Sequence, residues 1–204
     1  MKDEQRKARQ RQIETAAYEL LEAEGYQAIS MLKIAKRAKA SNETLYRWYG
    51  DKKGLFAALV ENNARDIRST LRSHLEGADD PWLFLNHLGP GLLRLLTGKR
   101  AIALNRAATG DATGALGRAL AEQGREAVMP LMAQCFEGIC RVAALPQEQA
   151  RGLAELYLSV LVGDLQVRRV TGAIPAPDET EIAARAERAE KFIRTWVEGP
   201  AQWD

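Results

Sequence analysis

The sequence has little of what would commit it to chemistry. It holds two histidines and two cysteines in 204 residues. Cys135 and Cys140 lie five apart in an apolar stretch. Five residues is about 500° of helix, so they share no face, and no second Cys or His pair joins them. They read as small buried hydrophobes in a reducing compartment. There is no Gly-rich phosphate loop, no Ser/His/acid set in a recognisable context and no metal-ligand spacing. No catalytic residue, metal or cofactor is expected, and the chain does not read as an enzyme. Nowhere does an uninterrupted run of about 18 apolar residues occur, and the opening MKDEQRKARQRQ has no apolar core of a signal peptide. The expectation is a soluble cytoplasmic protein with no membrane partner. Only 6% of the residues are aromatic, and β-branched runs are scarce.

What is present favours helices. The chain is 46% apolar and dominated by Ala, Leu, Glu and Arg, residues of high helix propensity. Its length allows one large or two small domains. The net charge is only +2, but it is unevenly placed. Residues 1–56 carry 12 Lys/Arg against 8 Asp/Glu, and residues 57–204 carry 17 against 19. The surplus of +4 in the first part, against −2 in the rest, marks the N-terminal region as the part that meets an anion.

That region centres on Ser30–Phe56. Ser30 is an N-cap type of residue ahead of a helix from about Met31 to Lys39, with Leu32, Ala35 and Ala38 spaced for one buried face. After a break at Ala40-Ser41, Ser41 caps a helix of barely two turns, Asn42–Tyr49, whose Leu45, Trp48 and Tyr49 can pack inward. Gly50-Asp51 ends it, and Asp51 caps the next helix at Lys52. Two helices joined by a short turn, the second presenting polar side chains at its start, describe a helix-turn-helix. Asn42 can pair with adenine, Glu43 can accept from the cytosine amino group and Thr44 can touch a thymine methyl. Asn42 and Glu43 also fit an ordinary first helical turn, where acids are favoured by the dipole. Tyr46, Lys33, Arg47 and Lys52 are candidates for the DNA surface. Residues 1–9, with Lys2, Arg6, Lys7 and Arg9, read as a frayed arm, either solvated or lying on DNA.

Thr44-Leu45-Tyr46, Trp48-Tyr49, Asp51-Lys52-Lys53 and Leu55-Phe56, with Ile13, Ala16, Ala17, Gly25-Tyr26 and Ile34-Ala35 upstream, resemble the DNA-binding domain of the TetR/AcrR family of one-component repressors. The resemblance covers roughly residues 9–60. It implies phosphate contacts by Tyr46 and Lys52, and base or phosphate contacts by Thr44 and Arg47. Many relatives carry His or Tyr where Arg47 or Trp48 stands, which leaves the contact pattern open there. Farther on, Leu161-Val162-Gly163-Asp164-Leu165-Gln166 is similar to the AefR-like subgroup.

The fold expected is all-α, about nine helices, with a helix-turn-helix domain over 1–52 and a ligand-binding and dimerisation domain over 53–204. One helix should run from Lys52 to about His74. Gly89-Pro90-Gly91 should break the next, and Pro130 should kink a helix from Ala115 to Ala144. A helix over Gln147–Val170 has apolar residues on nearly every side. The last helix has Ile182, Ala186, Ala189, Ile193 and Trp196 at 4-3-4-3 spacing, so with Leu161 and Leu165 it forms a candidate dimer face. The alternative is that these residues only close the protomer's own core.

For a mainly apolar small-molecule effector, candidate lining residues are Phe84, Leu88, Met132, Phe136 and Tyr157, with Asn86, His87, Asn105 and Asp164 as polar contacts. Asp164 also stands four residues before Arg168, a spacing that alone explains it as an ion pair. The function expected is a homodimeric regulator, a repressor released from a palindromic double-stranded DNA operator by that effector. The alternative is an effector-independent, architectural DNA-binding dimer.

Overall fold

The computed structural model describes residues 2–77 and 80–199, the side chains of Lys2 and Asp3 excepted. The described residues form helices α1 to α12 and no strand. The chain divides into two compact units, Met1–Asn63 with Lys99–Gly124, and Ala64–Gly98 with Arg125–Asp204.

In the first unit, α1 (Lys2–Ala28) is helical from its first residues, with Gly25 at φ 75° interrupting its end. The expected frayed arm is therefore helix. Its early turns have something to hold, since the Arg6 guanidinium lies over the Trp48 ring at 5.7 Å and Arg9 donates to the Lys39 carbonyl at 3.0 Å. Ile13, Ala17 and Leu21 give α1 its buried face.

Next come α2 (Met31–Arg37), α3 (Asn42–Tyr49) and α4 (Lys52–Asn63). On α2 the buried set is Met31, Ile34, Ala35 and Ala38, whereas Leu32, expected inside, is 51% exposed. The helix is rotated so that Met31 and Ile34, three apart, lead its inner face. The remaining core comes from α7 (Lys99–Thr109) and α8 (Ala115–Leu120), which bury Leu104, Ala107 and Leu116 beside Leu55, Phe56, Leu59 and Val60 of α4. Residue 52 thus opens a helix whose whole length packs in the first unit.

The helix expected from Lys52 to His74 is two, with a turn at Ala64 before α5 (Arg65–Glu76). Asn62 and Asn63, weak helix formers, stand at the break. The Asn62 amide is hydrogen-bonded to Glu14 of α1.

In the second unit α5 joins α6 (Pro81–Thr97), α9 (Glu126–Val142), α10 (Ala150–Val162), α11 (Leu165–Thr171) and α12 (Glu179–Glu198). The break expected at Gly89-Pro90-Gly91 does not occur, and α6 runs through it. Gly89 is there for close approach. A Cβ on it would lie 2.7 Å from the Tyr157 hydroxyl and 2.9 Å from the Ala186 Cβ. The helix expected over 115–144 is divided by a π-helical turn, Ala121–Arg125, while Pro130 stays inside α9. The helix expected over 147–170 is also divided, at Gly163, whose φ is 50°. Arg185 of α12 explains this break: it donates to the carbonyls of Leu161 (2.6 Å) and Val162 (3.2 Å), filling the space a side chain at 163 would need. Gln166 then reaches the Leu96 carbonyl at 2.9 Å.

Among the described residues no helix is long and apolar enough to cross a membrane, and no group of His, Cys, Asp and Glu is placed to hold a metal. Both cysteines are buried and free, and burial pushes the Cys135 thiol up to about 12.

Candidate functional site

The helix-turn-helix is assembled by its caps. Ser30 Oγ accepts from the Lys33 amide at 3.2 Å, and Ser41 Oγ accepts from the Thr44 amide at 3.0 Å. Each satisfies a backbone donor that the first helical turn would otherwise leave open. Asp51 caps α4 through the Gly54 amide at 2.7 Å. Leu45 is fully buried and anchors α3, with Trp48 and Tyr49 half-buried beside it, their rings edge to face. Burial pushes the Tyr49 phenol up to about 12.

With Leu45 inward, Asn42, Glu43, Tyr46 and Arg47 are exposed. Glu43 and Arg47 face each other at 3.9 Å, a weak pair that a base edge can replace. The Thr44 hydroxyl lies 2.8 Å from Ser41 Oγ, which leaves its methyl as the group free to make an apolar contact.

The cations of this unit differ sharply in how occupied they are. Lys33 pairs with Glu24 at 2.6 Å and donates to the Ala28 carbonyl at 3.0 Å. Arg37 pairs with Glu19 at 2.6 Å. Lys52 donates to the carbonyls of Tyr26 (2.9 Å) and Ile29 (3.0 Å), with its ammonium 4.2 Å from the centre of the Tyr26 ring. Partial burial lowers the Lys52 pKa. Lys36 and Lys53 are exposed. Sequence reasoning placed Arg9 in a frayed arm and missed its bond to Lys39. Its signal, a basic residue one turn before Ile13 in a run of charged and polar residues, is indistinguishable in sequence from a solvated charge.

In the second unit α5 and α6 border a cleft of about 620 Å³. Asp66, Ser69, Thr70, Ser73 and His74 form its α5 wall, and Leu83, Phe84 and His87 its α6 wall. His74 and Phe84 stack with ring centres 3.7 Å apart and planes at 11°. Both histidines of the chain therefore border one recess.

Of the ligand candidates, Phe84 and His87 line this cleft, and Asn86 is exposed on the same helix. Leu88, Met132, Phe136 and Tyr157 come together in the apolar core of the second unit, each 1% exposed or less. Asn105 is on α7 in the first unit, its amide donating to the Ala101 carbonyl at 2.9 Å. Asp164 is exposed at the start of α11, 3.7 Å from Arg168, the pairing its spacing suggests. The α5 wall was not anticipated, because a polar stripe at positions 66, 69, 70 and 73 looks the same whether it faces bulk water or a recess.

The candidate dimer residues Leu161, Ile182, Ala186, Ala189 and Ile193 are buried in the protomer's own core, and Leu165 packs partly against it. Trp196, spaced to join them, is 62% exposed, and Val197, four after Ile193, takes the inner place. Phe192 and Trp196 lie on the open side of α12, their rings stacked at 6.4 Å.

Residues 13–59 match the model for bacterial regulatory proteins of the tetR family, and residues 84–195 match the C-terminal domain of AefR-like transcriptional repressors. The HTH-type transcriptional regulator YvkB of Bacillus subtilis is 33% identical over 92 residues, which is 45% of this chain and 47% of that protein. Alignments to curated relatives span between 27% and 47% of their lengths. Among solved structures, a TetR transcriptional regulator from Agrobacterium tumefaciens is 28% identical with a TM-score of 0.72, covering 92% of this chain and 93% of that one. The flavonoid-responsive regulator FrrA is 25% identical with a TM-score of 0.64, covering 91% and 95%.

Proposed function

The chain belongs to the tetR family of bacterial regulatory proteins, and on that premise we propose that it is a cytoplasmic, ligand-responsive repressor. It binds a palindromic operator as a homodimer and leaves it when a small molecule occupies the second unit. The observation that carries this reading is the exposed start of α3, with Asn42 and Glu43 presented beside a buried Leu45. An Asn at that position suits adenine and a Glu suits cytosine. Thr44, Tyr46, Arg47 and Lys52 supply the surrounding contacts, Lys52 through the one ammonium N–H that its two carbonyl bonds leave over. The functional division at residue 52 is part of this proposal.

The cleft between α5 and α6 is the place we assign to the effector. Leu83 and Phe84 of its α6 wall suit a mainly apolar body, and its hydroxyls and imidazoles suit a few polar substituents. FrrA is described as flavonoid-responsive, so planar molecules of that kind are the first to test. The dimer contact is assigned to the open face of α12, around Phe192 and Trp196, because the small residues of that helix are already buried.

Selection of binding sites from random DNA tests the whole reading. A recovered near-palindrome, with half-sites one helical turn or a multiple apart, is expected. Recovery of no preferred sequence would sink the proposal. The operator then allows a ligand titration with and without DNA. Linkage requires the effector to bind less tightly in the presence of operator, by the factor with which it weakens DNA binding.

A further inference from the structure

The turn between α2 and α3 is built on a residue that pays a steric penalty for being there. Lys39 has φ 50°, in the left-handed region that a residue with a Cβ enters reluctantly. Around it the Ala40 amide donates to the Ala35 carbonyl (2.9 Å) and the Lys39 amide to the Lys36 carbonyl (3.2 Å). This is the Schellman closure, with lysine where glycine is usual.

The same closure occurs at the end of α9. Ala144 has φ 53°, with Leu145 donating to Cys140 at 2.8 Å and Ala144 to Arg141 at 3.4 Å. The two turns differ in one respect. The Lys39 carbonyl accepts a hydrogen bond from Arg9 Nη1 at 3.0 Å, and no described side chain does this at Ala144. A left-handed non-glycine turn therefore closes elsewhere in this protein without a guanidinium on its carbonyl.

What Arg9 can do is aim it. Only Lys39 and Ala40 stand between the C-cap of α2, Ala38, and the cap of α3, Ser41. The peptide plane after Lys39 therefore sets the direction in which α3 departs, and Arg9 holds the oxygen of that plane. Arg9 is itself on α1, which Glu19 and Glu24 tie to α2 through Arg37 and Lys33, both at 2.6 Å. One helical turn earlier, Arg6 rests over Trp48 near the far end of α3. The first turns of α1 thus touch the connection to α3 and its last turn.

We propose that Arg9 is a positioning residue for base reading: by holding the Lys39 carbonyl it fixes the angle at which Asn42 and Glu43 are presented. The role rests on the DNA-binding function proposed above, and it contrasts with a phosphate contact by the same guanidinium, the ordinary role of a basic N-terminal segment. The two roles leave different traces, because phosphate contacts carry no sequence information directly and each is counted in the salt dependence.

The test compares the parent with Arg9→Gln and Arg9→Lys on a selected operator and on unrelated DNA. For Arg9→Gln, affinity for the operator is expected to fall about three- to tenfold, the size of a typical net hydrogen-bond contribution. Affinity for unrelated DNA and the salt slope should hold, so the ratio of the two affinities falls. Arg9→Lys, which keeps the charge and a donor, should recover part of that ratio. Amide hydrogen exchange without DNA is the second measurement: Ala40 and the first turn of α3 should lose protection in Arg9→Gln at an unchanged melting temperature.

An equal loss on both DNAs with a slope smaller by about one would make Arg9 a phosphate contact and overturn the proposal. So would an unaltered affinity ratio, or a drop in melting temperature with affinity per folded molecule intact. Should the parent select no DNA, the proposed function fails on its own. The exchange measurement still decides whether Arg9 holds the turn, and unchanged protection there overturns it.

Discussion

The two units place their polar ties differently. In the first, cationic side chains reach across the surface to carboxylates and carbonyls: Arg9 to Lys39, Lys33 to Glu24 and Ala28, Arg37 to Glu19, Lys52 to Tyr26 and Ile29. In the second, such ties lie among the bundle helices, Arg94 to Glu179 and Arg185 to the Leu161 and Val162 carbonyls, beside a large apolar core and close contacts such as Gly89 on Ala186 and Tyr157. Both units have an apolar core, and in the first the polar ties converge on the helix-turn-helix and hold its helices to α1. A unit that must present α3 at a set angle gains from ties with direction, which apolar contact lacks. It also follows that charge substitutions should alter the first unit's reading of DNA while size substitutions should alter the second unit's stability.

The largest effect should come from putting charge into the apolar core of the second unit. Ile193 is fully buried, so Ile193→Arg leaves an unpaired charge in an apolar core at a cost of about 3–5 kcal/mol, and urea denaturation should show most of the stability lost. Trp196→Arg, three residues on but 62% exposed, should leave the denaturation midpoint of the isolated fold within roughly 0.5 kcal/mol of the parent. Sedimentation should then show it as a monomer, if the open face of α12 is where a partner docks. A Trp196→Arg dimer that still binds operator would place the partner on another surface.

Next in size are the residues that read bases. Asn42→Ala and Glu43→Ala should each relax preference at one operator position per half-site, costing about 1–3 kcal/mol of discrimination. Neither side chain is buried, so melting temperature should hardly move. If base preferences are unchanged in both, Arg47 is the next reader to examine.

Lys52→Ala sits between the two classes. It removes two bonds to carbonyls and a contact with the Tyr26 ring, for which about 1–2 kcal/mol of stability is expected. Operator and unrelated DNA should both bind less tightly, by similar factors. A variant as stable as its parent would mean that these carbonyl bonds are replaced by water without loss, and the tie in the first unit would carry no energy at that point.

How much of this was legible in sequence depends on the reach of the interaction. The two serine caps, the buried Leu45 and the Asp164–Arg168 pair follow from spacing within a few residues, and the structure has them. The all-helical fold and the family follow from patterns that several residues must share. What spacing could not give was the partner of each helix. Gly89-Pro90 reads as a break until Tyr157 and Ala186 are seen pressed against it. Gly163 reads as tolerated inside a helix until Arg185 occupies its side-chain space. The 4-3-4-3 spacing of α12 finds the buried Ile182, Ala186, Ala189 and Ile193, fails at the exposed Trp196, and says nothing of what buries the face. Likewise the surplus of positive charge locates the DNA-facing unit, but no sequence pattern tells a cation that is tied internally from one that is open.

That last distinction yields the smallest and sharpest expectation. Lys33 and Lys36 lie on one short helix, three residues apart, and both would be counted as phosphate contacts by charge alone. The Lys33 ammonium already has Glu24 at 2.6 Å and the Ala28 carbonyl at 3.0 Å, whereas Lys36 is exposed and no hydrogen bond or ion pair holds its side chain among the described residues. A lysine that must leave a carboxylate to meet a phosphate exchanges one ion pair for another and gains little net. Its neighbour, with only counterions and water to give up, gains the full counterion-release term. Lys36→Ala should therefore reduce the magnitude of the salt slope by about one, and Lys33→Ala by well under half of that. Lys33→Ala should cost no more than about 1 kcal/mol of stability, the range of an exposed pair. Glu24→Gln provides the control, since it frees Lys33 without moving it. In that background Lys33→Ala should regain an effect on the slope close to that of Lys36→Ala. If the two lysines already weigh equally in the parent, the Glu24 pair opens whenever DNA arrives, and the distinction between tied and open cations does not govern binding.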